Sequence, residues 1–140
     1  MELIRVQDSD TQKTYALYNT FLKDENGYIN NVYGYSYEQF LEWIEKKRNW
    51  SLGKELPENF VADTTFVLAD GDNYVGVFNL RHYLNDFLRE GPGHIGYCIS
   101  PAYRRKGYAT KGLANGAYID HESDTEYFTR IRAKDHSKHP

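Results

Sequence analysis

Three consecutive basic residues separate an apolar run from a predicted helix in the stretch "HIGYCISPAYRRKGYATKGL", residues 94–113. The apolar run predicts a strand, and the residues from Tyr108 to Glu122 predict a helix. Gly107 lets the backbone of the intervening turn come close to a ligand. A helix that begins at such a turn presents unpaired N–H groups and the positive end of its dipole, which together bind anions. The segment Arg104–Ala109 therefore predicts a site suited to a diphosphate, with a solvated surface turn as the alternative.

The elements that must position this turn follow from hydrophobic periodicity along the chain. In chain order, the sequence predicts a strand at 3–6, a helix at 9–23, a loop at 24–36, a helix at 37–50, two strands at 64–70 and 74–84, a strand at 94–99, a helix at 108–122 and a strand at 126–133. Ser9 or Asp10 is the expected N-cap of the first helix, and Ser36 that of the second. The order predicts one α/β (α+β) domain over residues 1–140, with a mixed sheet flanked by helices.

Composition restricts the class of protein. The chain of 140 residues is long enough for a single core, and its aromatic content of 16% supplies large side chains to fill it. No apolar run is long enough to span a membrane, and the N-terminus lacks the features of a signal peptide, so we expect a cytoplasmic protein that binds no membrane. Cys98 is the single cysteine, which excludes an intrachain disulfide and a cysteine-based zinc site. The net charge of −3 argues against nucleic-acid binding.

The basic turn resembles the signature of the GNAT family of N-acetyltransferases. In that signature an Arg or Gln is followed, after two residues, by Gly and, after one more, by Gly or Ala. Residues Arg104, Gly107 and Ala109 have this spacing, and a strand ending in Ser-Pro precedes them as in the family. The resemblance extends over residues 1–122 in the order of elements and is specific over residues 94–113.

The resemblance implies that the ligand is acetyl-CoA, used as a co-substrate. Backbone groups of the fourth strand of the predicted sheet would pair with the pantetheine arm, and amides of the turn would hold the pyrophosphate. The residues that would contact the cofactor are Tyr97, Cys98, Ile99, Arg104, Arg105, Lys106, Gly107, Tyr108, Ala109 and Thr110. Gly96 leaves room on the strand and is a candidate for the bulge that separates it from the next strand in the family.

The function that follows is direct transfer of an acetyl group from acetyl-CoA to a primary amine. The acceptor is either a small molecule or a protein amine, and the sequence leaves both open. The alternative function is an acyl-CoA-binding module with little or no catalysis. The resemblance also implies a further helix and two strands after the fifth strand, so we expect a domain that is short at its C-terminus. An exposed fifth strand would be an edge that recruits a second copy, which predicts a homodimer.

Acetyl transfer needs a group that accepts the proton of the amine. His94 and Glu90, next to the fourth strand, are the candidate catalytic residues. A histidine has a suitable unperturbed pKa of about 6.5, but His94 is equally a strand-start residue bonded to a neighbour, and Glu90 equally a surface charge. His82 and Asp86 are further candidates on the preceding strand and loop.

Other chemical side chains have simpler interpretations. Cys98 within "YCI" is more typical of a small core residue than of a nucleophile. The C-terminal histidines match no metal-ligand spacing, so we expect no metal. Tyr28, Tyr33 and Tyr35 fall where the family varies its acceptor-binding loop, and they are candidates for lining an acceptor pocket or for plain packing. Arg81 and His82 are candidates for shaping the same pocket or for a solvent-facing pair.

Overall fold

The computed structural model describes residues 1–58, 60–82 and 95–114 and the backbone of Ala133–Asp135. The described strands are β1 (Glu2–Arg5), β2 (Asp24–Glu25), β3 (Tyr28–Ile29), β4 (Asp63–Asp70), β5 (Asn73–Arg81), β6 (Ile95–Ile99) and β7 (Ala133–Asp135). The described helices are α1 (Thr11–Tyr18), α2 (Tyr37–Ser51) and α3 (residues 108–114), with short 3₁₀ turns at Val6–Asp8 and Pro101–Tyr103.

Five of the strands form one sheet in the order β1-β4-β5-β6-β7. Neighbouring strands from β1 through β4 and β5 to β6 are antiparallel, and β7 runs parallel to β6. A tight turn at 71–72 joins β4 to β5, because Gly71 and Asp72 interrupt two β-branched and aromatic runs. The mixed sheet flanked by helices confirms the predicted α/β class.

Strand alternation divides the apolar side chains between two faces of the sheet. On one face, Val67, Val77 and Cys98 are buried beneath α1 and α2. On the other face, Phe78 and Tyr97 are buried in a separate cluster that includes Ala109 of α3. The two layers agree with the predicted sheet flanked by helices, but the sequence did not predict which helices lie on which face.

The first two helices begin where the sequence predicts. Asp10 caps α1 by accepting a hydrogen bond from the Lys13 amide at 3.0 Å. Ser36 caps α2 in a capping box: its hydroxyl accepts from the Gln39 amide at 3.2 Å, and the Gln39 side chain accepts from the Ser36 amide at 2.8 Å. Such caps satisfy N–H groups that have no partner inside the helix.

Several bounds differ from the prediction. The first strand lies at Glu2–Arg5 rather than 3–6, and α1 ends at Tyr18 rather than near residue 23. The predicted loop 24–36 contains the hairpin β2–β3, whose turn at Asn26 and Gly27 has φ values of 55° and 98°. The Asn-Gly pair is the sequence signal for this hairpin turn, and the strands of two residues are too short to show a periodic pattern.

The C-terminal predictions are tested only in part. Residues 115–122 of the predicted third helix lie outside the described residues, as do residues 126–132 of the predicted fifth strand. The described strand β7 begins at Ala133, where the predicted strand ends, and continues to Asp135. It pairs with β6 from Ile95 to Tyr97.

Candidate active site

The basic turn lies between the end of β6 and the start of α3, as predicted. Arg105 and Gly107 have left-handed φ values of 64° and 83°. Apart from the chain neighbours of Gly107, no atom of the described residues lies within 4 Å of the place where its Cβ would be. Left-handed residues are typical of backbone turns that gather N–H groups into an anion-binding concavity. Within the described part of the chain, no backbone carbonyl accepts from the amides of residues 105–109, and the first bond into α3 is from Lys111 to Gly107 at 3.2 Å. The turn therefore offers open N–H groups with space before them.

The side chain of Arg104 points away from this open space and into the protein. Its Nε donates to the carbonyl of Ile99 at 2.8 Å, and an Nη2 hydrogen bond reaches the Sγ of Cys98 at 3.7 Å. The same Nη2 lies 3.1 Å from Oε1 of Glu25, whose side chain is only 6% exposed. Arg104 thus fastens the turn to β6 and to the hairpin β2–β3. Arg105 and Lys106 are the exposed cations of the turn.

Two contacts fix the start of α3 against the sheet. The hydroxyl of Tyr108 donates to Oδ2 of Asp70 at 2.6 Å, at the end of β4, and this bond raises the pKa of the Tyr108 phenol. A Cβ at Gly112 would lie 2.3 Å from the ring of Phe78, so α3 approaches the sheet more closely than any side chain there would allow. Phe78 is itself stacked on Tyr97 of β6, with ring centroids 5.0 Å apart. These contacts therefore set the distance between α3 and the sheet.

The strand residues predicted to contact the cofactor form the last part of β6. Tyr97, Cys98 and Ile99 are all buried, with alternate side chains on opposite faces of the sheet. Cys98 lies in the core beneath α1 and α2, as expected of a small core residue. Gly96 pairs in regular register with Asn79 on one side and Lys134 on the other. The bulge suggested for Gly96 is therefore not there; the register shift lies between β4 and β5, at Leu68 and Ala69.

A cavity of about 340 Å³ lies at the other end of β6, on the face covered by α1 and α2. Its floor is made by side chains on the same face of the sheet as the core positions, further along the same strands. Thr65 pairs with Asn79, which pairs with Gly96, and Asp63 pairs with Arg81 in the next row. The inward face of the sheet thus changes from apolar at Val67 and Val77 to polar and then charged within two rows.

Aromatic side chains and one ion pair complete the cavity. Trp43, Lys47 and Trp50 reach it from α2, Tyr28 from the hairpin, and Phe60 from the segment before β4. The Nζ of Lys47 lies 2.8 Å from Oδ1 of Asp63, with side-chain exposures of 4% and 16%. Burial lowers the pKa of Lys47, and the charge of Asp63 opposes this shift.

Two tyrosines at the cavity are strongly affected by burial. Burial raises the pKa of both Tyr18 and Tyr28 well above the ordinary value. Both line the cavity. At neutral pH they therefore supply neutral hydroxyl groups to its wall.

The structure brings together some of the predicted pocket residues and separates others. Tyr28 and Arg81 line the cavity, whereas Tyr33 is 55% exposed and not part of its lining. Tyr35 packs against the core, where its carbonyl accepts from the hydroxyl of Tyr15 at 2.7 Å. The candidate catalytic residues His94 and Glu90, and Asp86, lie outside the described residues. His82 lies beside Thr64, 2.8 Å from its hydroxyl.

Sequence reasoning missed the residues that give the cavity its chemistry. It gave no functional role to Trp43, Trp50, Lys47, Asp63, Thr65 or Asn79. The signal was available: Asp63, Thr65, Asn79 and Arg81 have the strand parity of the core residues Val67 and Val77, and polar residues at core positions indicate a site.

Comparison of the sequence with known protein families agrees with this geometry. The model of the acetyltransferase (GNAT) domain matches residues 1–139. The chain therefore belongs to the GNAT acetyltransferase family, and the prediction of an acetyltransferase is confirmed. No curated protein and no solved structure matches the chain significantly.

Two further features were searched for in the described part of the chain. None of its helices combines the length and the apolar character needed to cross a membrane. No group of three or more His, Cys, Asp or Glu side chains there is arranged to hold a metal ion.

Proposed function

We propose that the protein transfers an acetyl group from acetyl-CoA directly to a primary amine. The observation that carries this proposal is the arrangement of two sites along one strand: open amides in the turn after Ile99, and a cavity beside Gly96. The three residue steps from Gly96 to Ile99 separate them by about 10 Å, at 3.3 Å per residue. A long cofactor bound at the turn and extended along β6 would bring its far end to the cavity.

The turn fits the diphosphate of acetyl-CoA by its backbone. The amides of residues 105–109 and the empty space at Gly107 suit phosphate oxygens, and Arg105 and Lys106 add positive charge at the surface. The side chain of Arg104, by contrast, supports the turn from inside. Bound acetyl-CoA supplies the activated acetyl group as a thioester.

The amine needs a group that accepts its proton before or during attack. His94 and Glu90 are proposed for this role from the sequence. His94→Ala should leave binding of CoA unchanged while lowering the rate of acetyl transfer. Retained binding together with a retained rate would remove His94 from the mechanism.

The experiment that tests the function has two stages. Calorimetry with CoA and acetyl-CoA measures binding, and release of the CoA thiol is then followed with a panel of primary amines. We expect micromolar binding and thiol release that depends on the amine. Binding without thiol release above background would instead favour the acyl-CoA-binding module, and absence of binding would contradict both functions.

The homodimer is likewise a proposal. Sedimentation of the protein at micromolar concentration tests it, because a dimer and a monomer of this chain differ twofold in mass. A single monomeric species at that concentration would contradict the proposal.

A further inference from the structure

In the ion pair between Lys47 and Asp63, the ammonium group is buried and the carboxylate is partly exposed. The ammonium group of Lys47 is almost completely buried: it contacts Oδ1 of Asp63 at 2.8 Å and lies 5.4 Å from the ring centre of Trp50 and 5.9 Å from that of Trp43. The Asp63 side chain is four times as exposed, at 16% against 4%, and it lines the cavity. The end of the pair that a ligand can reach is therefore the carboxylate.

Among the described residues, only one of the two oxygens of this carboxylate has a donor. Among the described residues, Lys47 is its hydrogen-bond partner, and the bond is made to Oδ1. The second oxygen, Oδ2, has no donor in that part of the chain. A carboxylate oxygen in a partly dry site binds an N–H donor strongly, and a cationic donor most strongly of all. Since Lys47 already fixes the orientation of the carboxylate, Asp63 is a preformed binding group for an ammonium ion.

The rest of the cavity indicates the shape of the molecule that carries the ammonium. Trp50 and Phe60 lie near each other, with ring centroids 6.5 Å apart, and Phe60 is 61% exposed beside them. Flat apolar walls of this kind suit an aromatic or otherwise flat apolar group, and aromatic faces also attract cations. The volume of about 340 Å³ is at the lower end of the range for small-molecule sites.

We propose that this cavity binds a small primary amine with a flat apolar body, whose ammonium group contacts Oδ2 of Asp63 and whose body lies against Trp50 and Phe60. Its role as the acceptor of the acetyl group rests on the proposed function. The binding itself does not, because it needs no cofactor. A lysine or an N-terminus of another protein is the competing source of the amine.

Trp43 and Trp50 provide a direct measurement, because they are the two tryptophans of the chain and both line the cavity. Tryptophan emission is titrated, without CoA, with 2-phenylethylamine, with the neutral 2-phenylethanol and with the anionic 3-phenylpropionate. We expect 2-phenylethylamine to change the emission and to bind at least tenfold more tightly than the other two. Equal affinities, tighter binding of the anion, or no change with any ligand would overturn the proposal.

Three variants test the role of the carboxylate. Asp63→Asn should lower the affinity for 2-phenylethylamine tenfold or more and leave the affinity for 2-phenylethanol unchanged. Asp63→Glu should keep the preference for the cationic ligand. Asp8→Asn removes an exposed carboxylate paired with Arg5 and is the matched control. Unchanged affinity in Asp63→Asn would overturn the proposal. The ligand series on the unaltered protein still decides the question if that variant does not fold.

A fourth ligand, a short peptide with a free lysine, distinguishes a small-molecule amine from a protein amine. Binding of this peptide at least as tightly as 2-phenylethylamine would overturn the choice of a small molecule. The outcomes also separate this inference from the proposed function. Amine binding without thiol release would contradict only the function, whereas thiol release with the same KM for the amine in Asp63→Asn would contradict only the inference.

Discussion

The Nη2 atom of Arg104 lies 3.1 Å from the carboxylate of Glu25, joining the proposed diphosphate turn to the hairpin that lines the cavity. The other oxygen of Glu25 accepts from the Leu22 amide at 2.8 Å, just after α1. One buried carboxylate therefore connects three parts of the chain. The first residue of the family signature thus has a supporting role in the fold, alongside the turn that it begins.

Loss of the Glu25 charge should destabilise the protein. Glu25→Gln leaves the Arg104 guanidinium largely buried without its anion, so we expect the free energy of unfolding to fall by about 1–3 kcal/mol. Glu45→Gln is the matched control, because Glu45 forms an exposed pair with Arg48 at 3.4 Å and should change stability by about 0.5 kcal/mol or less. Denaturant unfolding of both variants measures the difference. Equal effects would show that the buried pair contributes no more than the exposed one.

The close approach of α3 to the sheet predicts the effect of a single methyl group. Gly112→Ala places a Cβ against the ring of Phe78, and relieving that overlap should cost about 1–3 kcal/mol of stability. Combined with Phe78→Leu, the cost should be smaller than the sum of the two single changes, because the second change removes the obstructing ring atoms. Thermal unfolding of the three variants checks this, and strict additivity would contradict the contact.

A carboxylate in the basic turn should prevent cofactor binding. Gly107→Glu puts a negative charge where the diphosphate is proposed to lie, and it also strains a backbone with φ of 83°. Gly34→Glu is the control for strain alone, since Gly34 has a similar φ of 78°, open surroundings and a position away from the turn. Calorimetry should show loss of CoA binding in Gly107→Glu and retained binding in Gly34→Glu. Unchanged affinity in the first variant would mean that the diphosphate binds elsewhere.

The buried phenols predict a loss of stability at high pH. The pKa values of Tyr18 and Tyr28 are raised in the folded protein, so the unfolded chain releases their protons first as the pH rises above about 10. The stabilising contribution of this pair is complete below pH 10 and is lost as the pH rises towards the folded pKa values. Tyrosinate absorbance should show a late component that coincides with unfolding, and Tyr18→Phe should reduce it. Complete tyrosine titration near pH 10 in protein that is still folded would contradict the burial of these groups.

The elements were predictable where local signals were strong. The capping box of Ser36 and Gln39 and the Asp10 cap fix the starts of α2 and α1, because the side chains that satisfy the first N–H groups are neighbours in sequence. The turn at Gly107 was also predictable from a local signal, a glycine between an apolar run and the start of a helix. The hairpin at residues 24–29 was not, since its strands of two residues depend on tertiary support such as the bond between Glu25 and Arg104.

The cavity was harder to predict from the sequence than the turn. Its residues come from both helices before the meander, from β3 to β6 and from the connecting segments. Their proximity depends on strand register, which brings Asp63 opposite Arg81 and Asn79 opposite Gly96. Sequence spacing carries no direct information on such pairs. Arg104 shows the opposite difficulty: its place in the motif was clear, but the direction of its side chain depended on Glu25, which lies 79 positions earlier.

The polar rows on the inward face of the sheet set a limit on how far this protein can be stabilised. Replacing Thr65 and Asn79 by valine would extend the apolar face begun by Val67 and Val77 and would place hydrocarbon over the floor of the cavity. Selection for thermal resistance alone would favour such changes, because they enlarge the core. With Thr65 and Asn79 at these positions, this end of the sheet contributes less apolar surface to the core. A thermostable variant of this protein should therefore be sought on the opposite face, around Phe78 and Tyr97, where apolar packing does not compete with the cavity.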